Sequence, residues 1–166
     1  MTIILFAHGL ETGPWGRKSL ALRDAGHEVS APDCQGQDLA TRIERLRQAI
    51  LEAEVPPLVV GSSFGGIAGL VAALMAAEQG VVIPGLVLCA PALMIPPPPN
   101  TVTTLRRPAP TIIVHGTHDD VIPVEVSRRF SREHAAELRE VDDDHRLAQA
   151  GIPAILEAVR ELTHDG

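Results

Sequence analysis

The stretch Pro57-Leu58-Val59-Val60-Gly61-Ser62-Ser63-Phe64-Gly65, continued by Gly66-Ile67-Ala68-Gly69-Leu70-Val71-Ala72-Ala73-Leu74-Met75, decides the fold. Pro57 to Val60 is a short apolar run that reads as a buried strand. Gly66 to Met75 is small and apolar nearly all round and reads as a helix pressed tightly on a sheet. Between them stands a G-x-S-x-G pentapeptide centred on Ser63, and a strand–turn–helix setting is what separates a nucleophile elbow from a chance match. A turn that sharp strains the central serine and brings neighbouring chain close to the positions two residues away. Only residues without a side chain fit there, hence Gly61 and Gly65. The turn exposes a hydroxyl at the carboxyl edge of a sheet, at the start of a helix whose N–H groups favour negative charge. Ser62 lies one residue before the turn and reads as structural.

Working outward, strand and helix patterns alternate. Thr2 to Ala7 reads as a buried strand, and Pro14 to Ala25 as a helix ending at Gly26. Glu28 to Ala31 is a short second strand. Asp38 suits the cap of a helix with Leu39, Ile43, Leu46 and Ile50 on one face. Leu58 to Gly61 is the third strand, and the helix after the elbow runs to about Gln79 and stops at Gly80. Gly85 to Ala90 and Thr111 to His115 are the fourth and fifth strands. They are separated by the irregular Pro91–Pro110 stretch, in which Pro96 to Pro99 is stiff and extended. Pro123 suits the first turn of a helix reaching about Glu133. Glu137 to Val141 is a sixth strand, and a final amphipathic helix starts at Ile152 or Pro153. Alternation of this kind implies parallel strands, right-handed crossovers and helices on both faces, with ligands outside the carboxyl ends of the strands. The expected architecture is α/β: a three-layer sandwich with a mostly parallel sheet of about six strands, in one domain spanning residues 1–166.

Two further motifs follow Ser63: His115-Gly116-Thr117-His118-Asp119-Asp120-Val121-Ile122-Pro123, then Asp142-Asp143-Asp144-His145-Arg146-Leu147. One precedes it, Phe6-Ala7-His8-Gly9-Leu10. With the elbow, and in the order serine, acid, histidine, they make the chain resemble a small α/β-hydrolase of the serine esterase or thioesterase kind, from Ile3 to about Leu147. That resemblance implies the strand order 2-1-3-4-5-6. It also implies a catalytic triad of Ser63 as nucleophile, His145 as base and Asp119 as acid, with Asp120 the competitor one residue on. The oxyanion of a tetrahedral intermediate needs preorganised donors. The N–H of Phe64, following the nucleophile, is one candidate. The other is the N–H of Leu10 in the His-Gly loop, with Glu11 second. Met94 with the Pro96–Pro99 run is read as an apolar rim or a plain surface loop. Trp15 is read either as a pocket wall or as a surface anchor of the first helix. Val121 is read both as a substrate-side contact and, with Ile122, as an anchor of the acid loop.

The chain has 166 residues and a formal net charge of −7, which argues against nucleic acid or anionic membranes as partners, because both need a basic face. A small-molecule acyl substrate is the expected partner and no cofactor is expected. A zinc site would want alternating ligands on one strand or i, i+4 ligands on a helix, and the cluster His115, His118, Asp119 and Asp120 has neither; His115 reads as structural. Cys34 and Cys89 are too few for a disulfide framework and are expected reduced and buried. Met1 leads straight into the first strand, with no leader pattern, so a cytoplasmic location is expected. Aromatics make up only 2% of the chain and tyrosine is absent, so the core must be aliphatic. Hydrolysis of small carboxylic esters is the first reading. A thioesterase is second, and a non-catalytic hydrolase-fold binding protein is a rival of another class.

Overall fold

The computed structural model describes residues 2–164. Six parallel strands form one sheet in the order β2-β1-β3-β4-β5-β6. They are β1 (Ile3–Ala7), β2 (Glu28–Ser30), β3 (Leu58–Ser62), β4 (Leu86–Cys89), β5 (Thr111–Gly116) and β6 (Glu137–Val141). Five helices connect or follow them: α1 (Arg17–Asp24), α2 (Leu39–Glu52), α3 (Phe64–Glu78), α4 (Val124–His134) and α5 (Gly151–His164). The expected strand order holds. Residues 90–110 join β4 to β5 without helix or strand.

The pleat divides the core in two. Leu5, Ala7, Val59, Leu88 and Ile113 face one layer with Ile43, Leu46 and Ile50 of α2, the small apolar residues of α3, and Phe130 of α4. Ile4, Phe6, Val60, Val87 and Val114 face the other, with Leu22 of α1 and Ile155, Ala158 and Val159 of α5. Successive residues of a strand point to opposite faces, so strands covered on both sides must be apolar throughout, as β1 and β4 are. Residues 67–74 of α3 are all buried, which explains why its sequence shows no polar face. Both cysteines are free and buried.

Element ends depart from the sequence reading where side chains intervene. Helix α1 starts at Arg17 rather than Pro14. The Ser19 hydroxyl donates to Pro14 O at 2.8 Å and accepts the Gly16 N–H at 2.9 Å, holding Pro14–Gly16 as a loop. Helix α5 starts at Gly151, whose N–H donates to Asp143 Oδ2 at 2.9 Å. The Asp38 cap is present, its carboxylate accepting the Thr41 N–H at 2.8 Å.

The register aligns the carboxyl ends. Ala7 lies beside Gly61, Ser62 beside Cys89, Cys89 beside Val114, and Gly116 beside Val141. The loops carrying Leu10, Ser63, Asp119 and His145 therefore leave the sheet along one edge.

Candidate active site

Ser63 has φ 55° and ψ −114°, left-handed geometry that a side-chain-bearing residue adopts only when held there. Its N–H donates to Cys89 O at 2.9 Å, and its carbonyl accepts from Gly66 N at 2.9 Å and Ala92 N at 3.0 Å. Two glycines make the turn possible. A Cβ on Gly61 would sit 2.6 Å from Gly65 O, and one on Gly65 would collide with the carbonyls of Ala7 and His8. The elbow is thus packed against the end of β1, and Gly9 is brought beside Ser63. A Cβ on Gly9 would lie 3.8 Å from Ser63 Cβ.

His145 joins the two remaining motifs to the elbow. Its Nε2 is 3.1 Å from Ser63 Oγ, and its Nδ1 is 2.7 Å from Asp119 Oδ2. A carboxylate accepts only, so Nδ1 carries the proton and Nε2 presents its lone pair to the serine hydroxyl. The Asp119 side chain is fully buried, and that of His145 is 21% exposed. Asp119 Oδ1 accepts the N–H groups of Val121 and Ile122 at 2.9 and 2.8 Å, so the acid is fixed by its own loop. Asp120, one residue on, is exposed.

The imidazole rides on a loop built around Asp143. Its Oδ1 accepts from Asp144 N at 2.8 Å, and its Oδ2 accepts from Gln149 N and Gly151 N, both at 2.9 Å. Burial works to raise the Asp143 pKa, but those three N–H donors outweigh it and hold the carboxyl below its ordinary value. Lys18 Nζ, from α1, donates to Arg146 O at 2.9 Å and braces the same loop. The triple aspartate reads in sequence as a solvated turn. Asp143, 7% exposed, is instead the loop's hydrogen-bond centre. A recurring pattern of Asp before His would not have separated it from Asp142 or Asp144.

Phe64 is the first residue of α3, so its N–H has no carbonyl one turn back within the helix. Leu10 follows Gly9 in the loop beside Ser63. The other three expected contact residues stay at the surface. Trp15 is 46% exposed, with the Arg23 guanidinium 5.6 Å over its ring, which is the helix-anchor arrangement. Met94 is 54% and Val121 60% exposed, and the apolar anchor of the acid loop is Ile122, at 2%. Val121 contributes its backbone N–H and does not anchor the loop. His115 is wholly buried, its Nδ1 2.7 Å from Ser127 Oγ and its Nε2 2.8 Å from Ile122 O. His118 pairs with Asp142 at the surface. Among the described residues, no group of three or more His, Cys, Asp or Glu side chains is arranged to hold a metal ion, and no helix is long and apolar enough to cross a membrane.

A six-stranded parallel sheet carrying a serine elbow, a buried acid and a histidine in that chain order defines a hydrolase of the α/β class. Residues 4–158 match the alpha/beta hydrolase family, and the chain belongs to it. It is similar to a protein of the alpha/beta hydrolase superfamily from Xanthomonas campestris, with 28% identity and a TM-score of 0.76 over 96% of this chain and 98% of that one. The fold is also that of Est1E from Butyrivibrio proteoclasticus, solved with ferulic acid bound, at 18% identity and TM-score 0.79 over 99% and 90% of the two chains. A monoacylglycerol lipase from Paleococcus ferrophilus shares it at 18% identity and TM-score 0.72, covering 96% and 94%. No curated protein matches the chain in sequence.

Proposed function

We propose that the protein is a serine hydrolase that cleaves small carboxylic esters through an acyl-enzyme on Ser63. The observation that carries this reading is the unbroken hydrogen-bond line from Ser63 Oγ to His145 Nε2 and from His145 Nδ1 to Asp119 Oδ2. A serine hydroxyl is a weak nucleophile until a base within hydrogen-bond reach takes its proton, and the base must be held in one tautomer to do so. His145 takes the proton as Ser63 Oγ attacks the acyl carbonyl, and Asp119 stabilises the imidazolium. The oxyanion is met by the N–H groups of Phe64 and Leu10. As the intermediate collapses, His145 returns the proton to the departing alcohol, and water then releases the acyl group by the same steps. No step calls for a cofactor. The β4–β5 connection, residues 90–110, carries no helical cap, which supports small or surface-displayed acyl groups over long chains.

The test is labelling with a fluorophosphonate probe, followed by turnover of p-nitrophenyl esters and matching acyl-thioesters. Covalent modification of Ser63 with ester turnover is expected. An unlabelled Ser63 in folded protein rules the proposal out in favour of a binding role, and faster thioester turnover makes the protein a thioesterase.

A further inference from the structure

Arg42 lies on α2 and is 1% exposed, yet every partner it has is a neutral carbonyl. Its Nη1 donates to His8 O at 2.9 Å and to Gly9 O at 3.4 Å, and its Nε donates to Gln37 O at 3.2 Å. Its Nη2 is buried without a hydrogen-bond partner among the described residues. Its guanidinium carbon stands 4.9 Å over the Phe64 ring. Burial pulls the Arg42 pKa down, opposed by Cys34 and Asp33, but arginine starts so high that it keeps its charge. A buried charge is usually paired with an opposite one, because leaving water is costly. This cation is left facing the backbone beside the nucleophile.

We infer that Arg42 is a positioning residue of the oxyanion site: its unneutralised guanidinium holds and polarises the His8–Leu10 loop so that Leu10 N–H meets the developing negative charge. The inference rests on the serine-hydrolase reading above. Gly9 C=O and Leu10 N–H are the two ends of one peptide group. The oxygen end accepts from Arg42 Nη1 and from His8 Nδ1, the latter at 2.8 Å. The His8 tautomer is set, because its Nε2 accepts the Cys34 N–H at 2.8 Å and Nδ1 must therefore carry the proton. Donors on an amide oxygen draw electrons away from its nitrogen and make the N–H a stronger donor, an effect of about 10–30% per bond. Arg42 thus touches one oxyanion candidate through the Gly9 carbonyl and the other through the Phe64 ring. With no carboxylate on it, its charge adds to the field that stabilises an oxyanion.

A purely structural pin between α2 and the β1 loop would cost stability when removed but would not follow the transition state. The experiment separates the two. Arg42→Met and Arg42→Lys are compared with wild type for thermal melting, for kcat and KM on p-nitrophenyl acetate, and for inhibition by a small alkylboronic acid, which forms a tetrahedral adduct on an active serine. Arg42→Met is expected to lose ~10-fold in kcat, short of the ~10²–10³ that removal of an oxyanion donor itself costs. KM should change little, boronate affinity should fall in step with kcat, and Arg42→Lys should recover much of the loss. A folded Arg42→Met with wild-type kcat overturns the inference, and so does a loss of kcat with boronate affinity unchanged. If Arg42→Met does not fold, Arg42→Gln, which keeps N–H donors without charge, is read by the same criteria. Fluorophosphonate labelling of the wild type comes first. Failure of that labelling removes the serine-hydrolase reading itself, whereas labelled wild type with unaffected Arg42 variants removes only the role of Arg42.

Discussion

His115 Nε2 lies 3.2 Å from Asp119 Oδ2, the same oxygen that accepts from His145 Nδ1. One buried carboxylate oxygen therefore stands between two imidazoles, four residues back in its own loop and 26 residues ahead. His115 is held in turn by the Ser127 hydroxyl and by Ile122 O, at the foot of the acid loop. Asp119 accepts three hydrogen bonds, from Val121 N–H, Ile122 N–H and His145 Nδ1–H, while His115 Nε2–H donates to Ile122 O and stands beside the carboxylate.

Asp119→Asn puts an amide NH2 where a donor already points, and it unsettles the His145 tautomer. The expected outcome is a fall in kcat of at least ~10², against ~10⁴ for the corresponding change in a serine protease. Asp120→Asn, at an exposed position, is expected to cost less than ~10-fold. Kinetics on both variants, with circular dichroism to confirm folding, decide between them. A crippled Asp120 variant beside a healthy Asp119 variant would move the acid by one residue.

Ser63→Ala is expected to remove ester hydrolysis by several orders of magnitude, up to ~10⁶ in kcat, while the fold survives. Ser62→Ala should be mild, since the elbow centres one residue on. The comparison is made on p-nitrophenyl acetate with matched melting curves. Wild-type-like turnover by Ser63→Ala would end the acyl-enzyme reading.

Asp143→Asn should loosen the loop that carries His145. A carboxyl whose folded pKa lies below its unfolded value adds stability that is fully present above the unfolded value of about 3.9 and fades as pH falls through the folded one. The variant should therefore unfold more easily than wild type near neutral pH, by about 1–3 kcal/mol for hydrogen bonds to a charged acceptor. The gap should close in acid. Denaturant curves at pH 7 and near pH 3 test the sign. A gap that widens in acid would contradict it.

Acyl-chain preference is expected to favour short esters. Trp15, Met94 and Val121 are 46%, 54% and 60% exposed, so little apolar wall is available to each added methylene, which gains about 0.8 kcal/mol only when buried. The profile of kcat/KM from acetyl to dodecanoyl esters measures it, and a steady rise along the series would show a wall that these residues do not provide.

The layered α/β architecture and its strand order were open to sequence reading, because they follow from local pattern. Runs such as Ile3–Ala7 and Leu58–Val60 are apolar on both faces only if helices cover both faces. The juxtaposition of Ser63, Asp119 and His145 was equally legible, since the elbow is written in consecutive residues, and strand endings place Asp119 and His145 on the same edge. Burial of individual polar groups was not legible. Asp143 sits between two other aspartates, and only the return of the chain at Gln149 and Gly151 gives its carboxylate three N–H donors. Arg42 lies beside the apolar stripe of α2, and nothing in its neighbours says that the His8–Gly9 carbonyls close over it. Trp15 is read in sequence as a pocket wall or helix anchor, Met94 as a rim or surface loop and Val121 as a substrate-side contact or loop anchor, and only packing fixed how exposed each one is. Sequence determined which side chains are candidates for the site and which strand end carries each, because periodicity and turn chemistry are local. The tertiary structure decided which charges are buried and what they hold, because burial is set by segments far apart in the chain.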